Sequence, residues 1–254
     1  MTGAVLELRG LHKAFGALVV TDGIDLDLHR GECHALIGPN GAGKTTLINQ
    51  ISGALQPDAG RISFEGRDVT DLSVADRAVA GLGRSFQITS ILPDFTVLEN
   101  VALAAQRRDG SSFRFLGRAA RETRLNDAAM EALGQLGLET RADVVAGALS
   151  YGEKRLLELA IAIAGQPHVL LLDEPMAGMG RAESESLTAT LLGIKKRYPI
   201  LLIEHDMEAV FQLADRVSVL VAGAIVASGT PDEVRTDPQA RAAYLGDDHT
   251  GDAA

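Results

Sequence analysis

The 254-residue chain has no tryptophan, a single cysteine and an aromatic share of only 4%. A core must therefore be built from aliphatic side chains, and no disulfide can form within the chain. The flanks of Cys33, Gly31-Glu32 and His34-Ala35, place it at the edge of a strand, where it reads as a small buried hydrophobe. No segment approaches the ~20 consecutive apolar residues that span a bilayer. Met1 to Arg9 lacks the basic stretch followed by an apolar one that directs secretion. The chain is thus expected to be cytoplasmic, with any membrane contact made through a partner. No Lys/Arg tract forms a stripe along which a nucleic acid could track, and 24 basic against 34 acidic residues give a formal charge of -10. Such a field repels polyanions, so no nucleic-acid partner is expected.

What remains is an ordinary globular composition, 46% hydrophobic and 23% charged, long enough for one large domain or one domain carrying a smaller lobe. Alternating apolar residues at Val5-Leu6-Glu7-Leu8, at Ile24 to Leu28 and at Arg61 to Glu65 predict half-buried antiparallel strands near the start. His34 to Ile37, Val169 to Leu172 and Ile200 to Ile203 are instead continuously apolar, as befits parallel strands covered on both faces. Helical periods follow two of these, over Thr45 to Ser52 and Asp206 to Ala214, so the pattern is βα repetition around a parallel core. From about Ile88 to Gly165 the strand signal gives way to helical stretches at Val97 to Arg107, Ala119 to Leu136 and Tyr151 to Ala164. This reads as a helical lobe (88–165) inserted into a core made of 1–87 and 166–245. The small and acidic residues 246–254 are expected to form a frayed tail.

Gly38-Pro39-Asn40-Gly41-Ala42-Gly43-Lys44-Thr45, with Thr46 next, fits G-x-x-x-x-G-K-[ST] directly after an apolar strand and directly before a helical period. Glycines let such a loop turn its N–H groups inward, and those donors together with the positive end of the next helix favour a bound polyphosphate. Lys44 is placed to reach the β and γ phosphates, and Thr45 to offer its hydroxyl to Mg²⁺. A second strand, Val169 to Leu172, delivers Asp173-Glu174-Pro175 at its carboxyl end, the edge at which open α/β sheets bind ligands. Asp173 is a candidate holder of Mg²⁺, directly or through water, and Glu174 a candidate for polarising an attacking water. Leu149-Ser150-Tyr151-Gly152-Glu153 reads locally as a helix start, with Ser150 capping and Glu153 closing a capping box. A capped helix start also attracts anions, which can belong to another chain.

With the phosphate loop, "LSYGE", "LLLDEP" and "IEHD" in this order, the chain resembles the nucleotide-binding subunits of ABC transporters over nearly its whole length. The resemblance implies a P-loop NTPase (RecA-like) α/β fold: a parallel-sheet core with an N-terminal antiparallel β subdomain and an inserted α-helical subdomain. It also implies ATP and Mg²⁺ as ligands, and a head-to-tail dimer in which Ser150 and Gly152 contact the γ phosphate of ATP held by the opposite subunit. Tyr151 and Glu153 depart from the usual Gly and Gln of that motif. Phe15 matches the aromatic residue that stacks on adenine, although taken alone it would read as core. Gln87 matches the glutamine that senses Mg²⁺ and the attacking water, and His205 the histidine that contacts the γ phosphate. Gly180 stands where the family generally carries Asp or Asn, leaving the usual polar contact of this loop across the dimer without its side chain.

"GRSFQITSILPDFTVLENVALAA", "LIEHDMEAVFQLADRVSVL" and "ASGTPDEVRTDPQARAAYLGDD" look like the ATPase subunits of branched-chain amino-acid importers and their relatives, which include urea, amide and aromatic-acid systems. That implies pairing with a second copy or a paralogue, permease subunits in the membrane, and indirectly a periplasmic solute-binding protein. The helical lobe, with the segment Ile88 to Glu99, would form the groove for the permeases. A soluble ABC-type ATPase of cytosolic machinery, such as iron–sulfur cluster assembly, is the alternative. A phosphate-loop switch without a transporter would leave Ser150, Gly152 and His205 unexplained.

Overall fold

The computed structural model describes residues 3–84, 91–106 and 123–242. In chain order these form β1 (Leu6–Phe15), β2 (Leu18–Leu28), β3 (Cys33–Ile37), α1 (Lys44–Ser52), β4 (Ala59–Phe64), β5 (Arg67–Asp68), α2 (Val74–Val79) and β6 (Leu82–Arg84). Then come α3 (Val97–Gln106), α4 (Thr123–Gln135), α5 (Tyr151–Ala164), β7 (Val169–Asp173), α6 (Arg181–Ile194), β8 (Ile200–Ile203) and α7 (Met207–Leu213). The chain continues through β9 (Arg216–Val221), β10 (Ala224–Gly229), α8 (Pro231–Thr236) and α9 (Pro238–Ala240).

The strands make two sheets: an antiparallel one in the order β2-β1-β4-β5, and a six-stranded one in the order β10-β9-β3-β8-β7-β6. In the second, β9, β3, β8, β7 and β6 run parallel and only β10 is antiparallel. The continuously apolar strands are its centre, and their alternate residues divide between two cores. Leu170, Leu172, Ile200 and Leu202 face α5 and α6 together with Val101, Leu133, Leu157 and Leu191. Val169, Leu171, Leu201 and Ile203 face α1 and the antiparallel sheet, with Leu47, Ile51, Leu8 and Ile24. Every residue of β3, β7 and β8 is buried, as period-two strands covered on both faces require. Cys33 lies inside, its thiol pushed up to about 12 by burial.

α3, α4 and α5 pack against one another through Val97, Val101, Leu125, Ala129 and Leu157. Thr96 and Val145 add an isolated antiparallel bridge within this otherwise helical stretch. Two polar features of the core were not foreseen. His34, wholly buried in β3, shares hydrogen bonds with the Asp27 carbonyl (3.0 Å) and the Ser218 hydroxyl (2.8 Å), and burial lowers its pKa to about 4. Arg77, also wholly buried, donates to the carbonyls of Gln50 (2.5 Å) and Ile51 (2.8 Å) in the last turn of α1, and to those of Leu72 and Thr70. A cation is well placed there, because a helix C-terminus carries unpaired carbonyls and partial negative charge.

Candidate active site

The carboxyl ends of three adjacent strands supply the site. Leu36 of β3 pairs with Ile203 of β8, and Ile203 pairs with Asp173 of β7, so these three residues stand in one row across the sheet. The loop Gly38–Thr46, Glu174 and Glu204-His205 follow them within one or two residues. Strand spacing of about 4.8 Å puts the outer two of these groups roughly 10 Å apart.

The first loop is shaped by close backbone approach. A Cβ on Gly38 would lie 2.1 Å from the Leu220 carbonyl oxygen, and one on Gly43 2.4 Å from that of Val20, at φ of 156° and 108°. Only glycine fits either position. Ala42 N–H closes a turn on the Pro39 carbonyl at 3.2 Å and the Gly223 N–H bonds the Ala42 carbonyl at 3.0 Å. Gly43 caps α1 with no side-chain acceptor, so the first N–H groups of α1 are free of a side-chain cap and suit an anion. Lys44 donates to the Gly38 carbonyl at 2.6 Å and the Pro39 carbonyl at 3.0 Å. That engages two of its three donors and leaves one for a phosphate oxygen. Burial lowers its pKa, while Glu174 and Asp173 oppose the shift. Asn40, Gly41 and Thr45 are exposed; Pro39 and Thr46 are half-buried.

Asp173 is 4% exposed and its Oδ2 has no hydrogen-bond partner. Arg84 approaches that oxygen only to 3.9 Å, its NH1 being held by Asn49 (3.0 Å) and Ser52 (2.8 Å) of α1. Burial raises the Asp173 pKa, Arg84 lowers it, and Glu174 raises it. An orphaned buried carboxylate oxygen of this kind suits a divalent cation. Glu174 is half-buried and adopts φ 49°, a left-handed conformation that costs a residue with a Cβ about 1 kcal/mol or more. Its N–H bonds the Ile203 carbonyl at 2.9 Å, and its own carbonyl accepts the Ala177 N–H at 3.1 Å. His205 is exposed, with Nδ1 3.6 Å from Glu204 Oε2.

Ser150 begins α5 in a complete capping box: its hydroxyl accepts the Glu153 N–H at 3.3 Å and the Glu153 carboxylate accepts the Ser150 N–H at 2.9 Å. The Ser150 backbone bond, chief among several, holds the Glu153 carboxyl below its usual range. The serine O–H proton remains for an acceptor outside the helix. Tyr151 bonds the Ala177 carbonyl, so Ser150 and Gly152 stand beside the loop after β7 in their own chain. Phe15, at the end of β1, is 52% exposed with Lys13 Nζ 5.7 Å from its ring centroid. It is a surface aromatic and not the core residue its local sequence suggested. Gln87 lies outside the described residues, as do Ile88 and the tail 246–254.

A family model described as ABC transporter matches residues 21–177. The chain belongs to the ABC transporter family. A second model, described as branched-chain amino acid ATP-binding cassette transporter, matches residues 224–250. The cassette is 35% identical to the high-affinity branched-chain amino acid transport ATP-binding protein BraF of Pseudomonas aeruginosa, over 97% of this chain and 100% of that one. It is 37% identical to LivG of Salmonella typhimurium, a protein of the same description, again over 97% and 100%. The ADP conformation of MJ1267, an ATP-binding cassette of an ABC transporter, superposes with a TM-score of 0.86 at 32% identity, covering 96% of this chain and 100% of that one. The cassette is accordingly a nucleotide-binding α/β ATPase. Among its described residues no helix is long and apolar enough to cross a membrane.

Two residues beside the site were not singled out from the sequence. Glu204 is 1% exposed with both oxygens bonded to backbone N–H groups, and Arg84 links β6 to α1. The one signal for Glu204 was a charged residue directly following a strand with no polar position.

Proposed function

We propose that this cassette drives an importer of branched-chain amino acids or related small solutes by binding and hydrolysing ATP. The observation that carries the proposal is the convergence of Lys44, Asp173, Glu174 and His205 at the carboxyl ends of β3, β7 and β8. The likeness of the tail, residues 224–250, to branched-chain amino acid cassettes supports the solute class. Lys44 and the α1 N–H groups hold the phosphates and Phe15 stacks on adenine. Thr45 and Asp173, with Gln87, would hold Mg²⁺, whose chemistry is neutralisation of phosphate charge. Phosphoryl transfer leaves the protein mainly positioning and charge stabilisation to perform. Lys44 and His205 supply charge and hydrogen bonding at the γ phosphate, and Glu174 orients water.

In this reading the site is completed by Ser150 and Gly152 of a second cassette, a copy or a paralogue. The helical unit 88–165 of each cassette then closes on the nucleotide held by the core units 1–87 and 166–245 of the other. A cleft of about 360 Å³ lined by Val74, Leu82, Leu103, Ile161 and Pro167, together with exposed Leu92 and Phe95, offers apolar surface to permease subunits. The cassette would thus lie on the cytoplasmic face of the membrane, with a periplasmic binding protein reached only through the permeases. A Glu174→Gln variant should bind ATP and pair as the wild type does while losing turnover by a factor of about 100 or more. ATPase rate and nucleotide titration measure the two, and near-normal turnover would refute the role of Glu174. Co-purification with membrane subunits tests the transporter assignment.

A further inference from the structure

The loop that follows Glu174, Pro175 to Gly180, is tied near its start, at the adjacent residues Met176 and Ala177, by side chains that come from outside it. On one side the Tyr151 hydroxyl donates to the Ala177 carbonyl at 2.8 Å and accepts from Arg155 at 2.9 Å. The Arg155 guanidinium also stacks 5.3 Å from the Tyr151 ring centroid and bonds Glu158 at 2.9 Å. The tyrosine is therefore held in one orientation even though it is 46% exposed. Gly178, at φ 78°, packs against it, and a Cβ there would lie 3.3 Å from the Tyr151 oxygen. On the other side the buried Glu204 carboxylate accepts the Met176 N–H at 2.9 Å through Oε1. Through Oε2 it accepts the N–H of His205 at 2.9 Å and of Asp206 at 3.3 Å.

These bonds converge on two successive residues, Met176 and Ala177. Ala177, whose carbonyl Tyr151 holds, gives its N–H to the Glu174 carbonyl at 3.1 Å. Glu174 sits in a left-handed conformation that persists only when its surroundings over-determine it. Glu204 sets the same loop against the backbone of His205. We propose that Tyr151 and Glu204 are positioning residues for ATP hydrolysis, clamping the loop Pro175–Gly180 so that Glu174 and His205 keep a fixed mutual placement. The proposal rests on the assignment of Glu174 and His205 made above. It gives Tyr151, which departs from the usual glycine of its motif, a task in its own chain. It also gives the loop a polar anchor, although Gly180 has no side chain to provide one.

The test is Tyr151→Phe, Glu204→Gln and their combination in the full chain assembled with its membrane subunits. Phenylalanine keeps the ring and loses the donor to Ala177 together with the acceptor for Arg155, whereas glutamine offers Met176, His205 and Asp206 a single acceptor oxygen. Tyr151→Phe should lower kcat about five- to tenfold, the scale of one lost hydrogen bond at a positioned group, with KM for ATP and the unfolding midpoint unchanged. Glu204→Gln should lower kcat further, and the double variant should fall short of the product of the two effects because both act through one loop. A Tyr151→Phe kcat within twofold of wild type, a change confined to KM, or strictly multiplicative effects would overturn the clamp. Tyr151→Phe keeps the test decisive even if Glu204→Gln does not fold. Glu174→Gln measured alongside separates the two levels. Turnover lost in Glu174→Gln but intact in Tyr151→Phe removes the clamp alone, while turnover retained in Glu174→Gln removes the parent assignment and the clamp with it.

Discussion

Two loops leave strands of the same sheet that flank β8, and they are held by opposite means. Gly38–Thr46, after β3, is fixed by its own covalent shape: glycines press against the carbonyls of Leu220 and Val20, and the loop's lysine bonds its own backbone. Pro175–Gly180, after β7, is fixed by side chains remote in sequence, Tyr151 from α5 and Glu204 from the end of β8. The first loop presents backbone N–H groups to an anion, so its rigidity must reside in the backbone. Under the proposed assignment the second keeps a carboxylate and an imidazole in register, and groups on different strands can only be related through bonds that cross between them.

The comparison can be broken first at the glycine loop. Gly43→Ala forces a Cβ to 2.4 Å from a backbone oxygen at φ 108°, where nothing flexible can yield. It should cost about 3 kcal/mol or more and abolish ATP binding, as nucleotide titration and urea unfolding will register. The strand beneath that loop provides the next test. His34 is held neutral, with a pKa near 4 in the folded chain against ~6.5 unfolded. The unfolded chain therefore takes up the proton first, and stability is complete above about pH 6.5 and declines as the pH falls toward 4. The loss should approach about 3 kcal/mol at pH 4, and His34→Gln should flatten this part of the urea midpoint against pH curve. The side-chain-held loop should be the most forgiving. Gly178→Ala meets only the tip of a tyrosine at 3.3 Å, at φ 78°, and should cost about 1 kcal/mol. It should slow turnover several-fold with ATP affinity intact, which stopped-time ATPase assays and nucleotide titration resolve separately.

The same contrast explains what could be read from the residues alone. Gly38 to Thr46 was legible because a loop that works through its backbone must spend glycines at set spacings. The parallel core was legible because strands covered on both faces have no polar alternate. α5 was legible to the residue, its capping box at Ser150 and Glu153 marking the start. Tyr151 and Glu204 were not, because their partners lie 26 and 28 residues away along the chain and nothing local marks such a bond. The exposure of Phe15 was not legible locally, since an aromatic at the end of an alternating strand gives no indication that its face is left bare. β9, β10 and α6 carried apolar periods too short or too mixed to be singled out before the sheet order was known.

The buried Arg77 has a mechanical consequence. Its guanidinium grips the last carbonyls of α1 together with those of Thr70 and Leu72, and Arg84 grips Asn49 and Ser52 of the same helix from β6. α1 is thus bonded at its far end to both α2 and β6, and sliding it along its axis alone would break these bonds. Any axial displacement of α1 would therefore be shared with Leu82–Arg84.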